Sequence, residues 1–127
     1  MNILIDTQSF IWFIENDSRL PKNVKRLLEN SNSLTVSIAS FWEITIKASL
    51  GKLIIAENVA TMMDNALLNG FKILPIEREH LIALSMLDFI HRDPFDRIII
   101  AQSVAENMSI VSSDSVFQDY PVNCIWK

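Results

Sequence analysis

Four short apolar runs punctuate this chain at wide intervals, and the stretches between them carry helical rather than alternating periodicity. The runs are Asn2 to Asp6, Leu34 to Ser37, Phe71 to Leu74 and Ser109 to Ser112, with Val122 to Trp126 as a candidate fifth. Continuous apolar strands joined by helices are the pattern of a parallel sheet buried on both faces. Between the runs, Phe10, Phe13 and Ile14 place a helix over Ser9 to Glu15. Val24, Leu27 and Leu28 mark a second helix over Pro21 to Asn30, with Pro21 suited to its first turn. Further helices are expected over Ile38–Leu50, stopped by Gly51, and over Glu57–Asn69, stopped by Gly70. Two more are expected over Glu77–Leu87 and Pro94–Asn107. The expected order is β-α-α-β-α-α-β-α-α-β-β, an α/β fold with helices on both faces of a parallel sheet. In such sheets ligands bind beyond the carboxyl ends of the strands.

The 127 residues suit one domain, expected over 1–127, with a core large enough to need no staples. Half the residues are hydrophobic, and two glycines and four prolines leave no linker or low-complexity stretch. The single cysteine, Cys124, forms no internal disulfide, and a reducing cytoplasmic location is the expectation. No run reaches the ~18 apolar residues of a membrane span. The N-terminus lacks the basic leader of a signal peptide and is not read as one. A net charge of −4 argues against broad electrostatic grip on nucleic acid. It leaves room for an enzyme that touches a few phosphates through a metal.

The acids fall where the ligand rule directs attention. Asp6 ends the first run, Glu43 follows the second, Asp93 and Asp96 open the helix before the fourth, and Asp114 lies just past it. Carboxylates gathered at one sheet edge repel unless a cation sits among them. All-oxygen ligands favour Mg²⁺ or Mn²⁺ over zinc. Such an ion activates water and stabilises charge on a phosphodiester. No Cys/His pair has zinc spacing and no glycine-rich phosphate loop is present.

Each acid also has a plainer role. Asp6 can cap the helix after it. Ser40-Phe-Trp-Glu43 has the form of a capping box, unless the helix begins at Ser37. Asp93 is favoured as the cap of a helix with Pro94 at its first position, whereas for Asp96 cap and ligand stand level. Asp114 can be a turn residue. Lys47 has ion-pair spacing to Glu43. Arg97 can orient a carboxylate, contact phosphate or face solvent. Lys22, Lys25 and Arg26 read as a solvated helix face open to RNA. His80 is favoured as structural, and His91 divides evenly between turn and chemistry. Trp12, Trp42 and Trp126 are assigned to core or interface, and Met62, Met63, Leu67 and Leu68 to an apolar stripe, core before partner surface.

Taken together, these segments resemble the PIN-domain ribonucleases, and within them the VapC-like toxins of toxin–antitoxin pairs. The resemblance is carried by Leu4-Ile-Asp-Thr7, Val36 to Ile44 with Lys47 and Gly51-Lys-Leu53, His91-Arg-Asp-Pro-Phe-Asp-Arg97 with Ile100-Ala-Gln102, and Val111 to Asp114 with Tyr120 and Ile125-Trp126. It implies a pocket of four acids, by position Asp6, Glu43, Asp96 and Asp114, in a Mg²⁺- or Mn²⁺-dependent endoribonuclease. Such an enzyme uses metal-activated water and leaves a 5′-phosphate and a 3′-hydroxyl. It further implies a homodimer, an antitoxin partner and structured RNA, such as transfer RNA, as substrate. Around the acids, Ser112, Asp93 and Arg97 are the candidate supporting residues. Gln8 and Ser112 depart from the histidine and threonine frequent in the family. The Ser112 hydroxyl still offers a hydrogen bond to Asp6 or Asp114.

Other classes fit less well. A phosphate-receiver module wants paired acids after the first strand and a phosphorylated mid-chain aspartate. A haloacid-dehalogenase phosphatase wants Asp-x-Asp where this chain has Asp6-Thr7-Gln8. A catalytically inactive binding module and a DNA nuclease using the same acids stay open.

Overall fold

The computed structural model describes residues 1–126; Lys127, the last residue of the expected domain, lies outside the described residues. Strands β1 (Ile3–Ile5), β2 (Leu34–Ser37), β3 (Phe71–Leu74), β4 (Ser109–Val111) and β5 (Cys124–Ile125) form one sheet in the order β3-β2-β1-β4-β5. Every pairing is parallel. The chain builds outward from β1 through β2 to β3, then returns to the other side of β1 as β4. The strand order therefore reverses between β1 and β4, and the crevice beyond their carboxyl ends is the expected ligand position.

Period-two alternation sorts the strand side chains between two cores. Ile3 and Ile5 of β1 and Val111 of β4 join one core with Phe10 and Ile11 of α1 (Thr7–Ile14), Val24 and Leu28 of α2 (Lys22–Glu29), and Met62 and Ala66 of α4 (Val59–Leu68). Leu4 and Ile110 point the other way. They pack on Ile98 to Ala101 of α6 (Pro94–Glu106), with Leu84 of α5 (Arg78–Met86) against the same cluster. Helix α3 (Ile38–Ser49) feeds both cores, Phe41 and Ile44 into the first and Ala39 into the second. Phe10 anchors the first core, meeting Phe41 and Phe71 edge-on at 5.3 and 5.5 Å.

Most expected elements are present within a residue or two. The main difference at the site is α1, which begins at Thr7 rather than Ser9 because Asp6 itself is the cap. A 3-10 helix, Ser115–Asp119, occupies the connection read only as a turn. Strand β5 is shorter than expected. Gly51 and Gly70 adopt φ of +71° and +87°, the left-handed stops expected after α3 and α4. The stripe assigned to α4 divides, since Met62 is buried while Leu67 and Leu68 face outward. Trp42 is more than half exposed, with its ring edge-on to Phe95 at 5.2 Å.

Candidate functional site

The fold delivers the expected acids to one place. Asp6 leaves the end of β1, Glu43 lies two turns into α3, Asp96 sits in the first turn of α6, and Asp114 follows β4. All four line a single cavity of about 380 Å³, together with Asp93, Lys47, Thr7, Gln8 and Ser113. Ile11, Ile44 and Leu53 supply its apolar wall.

Asp6 caps α1 and also lines the cavity. Its Oδ1 accepts the Ser9 backbone N–H at 2.9 Å, capping α1, and its Oδ2 accepts the Ser112 hydroxyl at 2.6 Å. The Ser112 oxygen in turn accepts the Asp114 backbone N–H at 3.1 Å. One serine thus ties Asp6, just after β1, to the backbone of the segment that follows β4, across the reversal point of the sheet. Next to Asp6, the Thr7 hydroxyl donates to Ser40 Oγ at 2.9 Å, fastening α1 to α3.

Glu43 is not part of a capping box. Helix α3 is capped by Ser37, whose Oγ accepts the Ala39 N–H, so Glu43 lies too deep to reach the cap. Its side chain is buried; Oε2 is paired with Lys47, and Oε1 has no hydrogen-bond partner among the described residues. A buried carboxylate oxygen without a donor is costly. Asp93 caps α6, accepting the N–H groups of Phe95 and Asp96 at 2.9 and 3.0 Å. Asp114 caps the 3-10 helix through the Val116 N–H and is exposed. Cap and cavity placement coincide at Asp6, Asp93 and Asp114, because helices that start at a carboxyl edge present their caps to it.

The electrostatics follow from the crowding. Burial, reinforced by the negative charges of Asp93, Glu43, Asp6 and Asp114, pushes the Asp96 carboxyl up to about 8. Burial also raises Asp6, opposed by the Ser112 and Ser9 hydrogen bonds. The Lys47 ammonium is raised by its hydrogen bond to Glu43. One half-exposed lysine faces five acidic side chains, so acids outnumber bases in the cavity. The donor set is entirely oxygen, and Glu43 Oε1 is a buried ligand atom lacking a partner. Both features fit a hard divalent cation.

Arg97 does not reach the carboxylates directly. Its Nη1 donates to the Asp88 carbonyl and to the Tyr120 hydroxyl, both at 3.0 Å, and its guanidinium covers the Phe89 ring at 5.0 Å. His91, left between two roles by the sequence, lies with Nε2 at 3.3 Å from Asp96 Oδ2 and Nδ1 at 2.7 Å from the Tyr120 hydroxyl. Tyr120 was visible in the sequence only as part of a resemblance, and nothing local linked it to residues 29 and 23 positions away.

A second group of ligand-type atoms lies elsewhere. Among the described residues, Glu77, His80 and Glu106 form the one trio whose ligand atoms all fall within 4.8 Å of one another. It includes none of the cavity acids. Fully buried His80 accepts the Glu77 N–H at Nδ1 and meets Glu106 through Nε2 at 2.7 Å. Nδ1 thus caps the start of α5 while Nε2 joins α5 to α6, contacts consistent with the structural reading of this histidine.

A profile of the PIN domain matches residues 3–123. The chain belongs to the PIN-domain family. PIN domains are typically nucleases, and the cavity of acids lies within the matched span. Solved structures share the fold. VapBC2 from Rickettsia felis, bound to a DNA fragment from its promoter, aligns over the whole of both chains at 18% identity with a TM-score of 0.75. FitAcB from Neisseria gonorrhoeae aligns over 97% of this chain and 96% of its own at 15% identity, TM-score 0.68. FitAB bound to an IR36 DNA fragment aligns over 97% and 93% at 16% identity, TM-score 0.65. No curated protein matches this PIN domain in sequence. Among the described residues no helix is long and apolar enough to cross a membrane.

Proposed function

We propose that this PIN domain, a single unit over residues 1–127, is a Mg²⁺- or Mn²⁺-dependent endoribonuclease with Asp6, Glu43, Asp96 and Asp114 around its cation. The observation that carries the reading is the buried, unpartnered Oε1 of Glu43 in a cavity lined by the other three acids. When bound, the ion supplies positive charge to the phosphodiester and activates water for attack. The chain's own contribution is orientation. Ser9 and Ser112 fix both oxygens of Asp6, and Lys47 holds Oε2 of Glu43, turning Oε1 away from the pair. The wall of Ile11, Ile44 and Leu53 limits water on one side, which strengthens electrostatic interactions inside.

The toxin–antitoxin setting is supported by the VapBC2 and FitAcB folds, which are similar over nearly the full chain. On this reading the protein is a cytoplasmic toxin, a homodimer that binds a cognate antitoxin and cuts structured RNA such as transfer RNA. The test is incubation of antitoxin-free protein with a structured RNA pool in Mg²⁺ or Mn²⁺, with end-group analysis. Cleavage leaving 5′-phosphates, lost in EDTA and in Asp6→Asn, is expected. Metal-independent cleavage, or equal cleavage by the variant, contradicts the proposal.

A further inference from the structure

Three groups outside the acid cluster form a chain of contacts that ends on Asp96. They come from parts of the chain remote in sequence: His91 from the α5–α6 connection, Arg97 from the first turn of α6, and buried Tyr120 from the end of the 3-10 helix. Counting protons fixes the direction of their hydrogen bonds. The Tyr120 oxygen accepts an Arg97 Nη1–H at 3.0 Å and lies 3.3 Å from the His91 backbone N–H. Both are donors without acceptor capacity, so they take the lone pairs of the phenol. The one remaining phenolic group is its proton, and its remaining neighbour is His91 Nδ1 at 2.7 Å. Nδ1 must therefore accept. In a neutral imidazole the proton then resides on Nε2, which lies 3.3 Å from Asp96 Oδ2.

We propose that His91 is a positioning residue for Asp96, held by Tyr120 and Arg97 as the Nε2–H tautomer so that it donates to Oδ2 and leaves Oδ1 for the cavity. The inference rests on the reading of Asp96 as a cation ligand. It gives Arg97 a role that acts through two intermediaries rather than on the carboxylate. It also differs from simple stapling of the connection. A staple needs Arg97, Tyr120 and the His91 backbone, and places no demand on the ring tautomer or on Asp96. Partners that orient a ligating carboxylate alter metal affinity or activity by about 10–100-fold when removed.

Two readouts test it. The chain has only two histidines, so ring ¹⁵N shifts resolve each, with His91→Gln assigning the signals. The neutral His91 ring is expected as the Nε2–H tautomer, changing to a mixture in Tyr120→Phe, which keeps the ring in the core and removes the hydroxyl. Mn²⁺ titration by calorimetry is expected to show a dissociation constant raised about tenfold in His91→Ala and largely restored in His91→Gln, whose amide is again a donor. An Nδ1–H tautomer in the wild type, or Mn²⁺ affinity in His91→Ala within about twofold of wild type, would overturn the proposal. Asp96→Asn separates the two levels. If that variant loses Mn²⁺ binding while His91→Ala keeps it, only the positioning role fails. If it binds as well as wild type, the cation reading of Asp96 fails and carries the proposal with it.

Discussion

Replacing Asp6 separates what the fold needs from what the chemistry needs. Asp6→Asn keeps the shape, and its amide oxygen still accepts the Ser9 N–H now received by Oδ1. Asparagine and aspartate cap helices about equally well. The amide nitrogen then faces Ser112, whose hydroxyl can rotate to present its oxygen. Asp6→Ala removes both contacts. Loss of the cap costs about 1 kcal/mol, and leaving the buried Ser112 side chain with no hydrogen-bond partner at residue 6 costs about 1–3 kcal/mol. Both variants shed the same buried charge, so relief of its desolvation cancels in the comparison. Asparagine is thus expected to be the more stable by about 2–4 kcal/mol. At about 4 °C per kcal/mol for a chain of this length, the gap in melting temperature is ~8–16 °C. Circular dichroism melts in EDTA measure it, and RNA cleavage in Mn²⁺ measures the other half. Both variants should be inactive. Equal melting temperatures would refute the claim that shape at Asp6 serves the fold, and an active Asp6→Asn would refute the claim that charge serves the chemistry.

Other perturbations address separate links. Asp96 has its carboxyl raised from an ordinary 3.8 to about 8, so its stabilising contribution is complete below pH 4 and is lost as pH rises through 8. EDTA-treated protein should therefore melt lower at pH 8.5 than at pH 6, and Asp96→Asn or added Mn²⁺ should reduce that slope; an unchanged slope in the variant contradicts the assignment. Ser112→Ala breaks the link between Asp6 and the Asp114 backbone, and should cost about 1–3 kcal/mol with activity down about 10–100-fold, read by denaturant melts and cleavage rates. Phe10→Ala, which removes a fully buried ring from contact with Phe41 and Phe71, should cost about 3–5 kcal/mol in the same melts. Lys47→Ala leaves both oxygens of buried Glu43 without a donor and should cost about 1–3 kcal/mol in metal-free protein, so a loss below about 0.5 kcal/mol would mean that the ion pair does not support the fold.

Much of this architecture was legible because it is written in local patterns. Leu34–Ser37 and Phe71–Leu74 are strands at the expected residues, and Asp93-Pro94 starts α6 where cap and proline chemistry place it. The gathering of the acids was legible through topology, since parallel strands send every following cap to one edge. What escaped depends on contacts the local pattern does not encode. Nothing near His80 in sequence points to Glu106, which reaches it from the far end of α6. The His91–Tyr120–Arg97 relay needs the 3-10 helix after β4 to fold back over the start of α6. Trp42 is exposed because α3 shares itself between two cores and turns that position outward.

The most direct test of the cation site is a crystal of the metal-free protein soaked in Mn²⁺ and measured for anomalous scattering. The proposed site predicts a peak among Asp6, Glu43, Asp96 and Asp114, within reach of Glu43 Oε1. A peak at Glu77, His80 and Glu106 alone, or none in a crystal saturated with Mn²⁺, would contradict it.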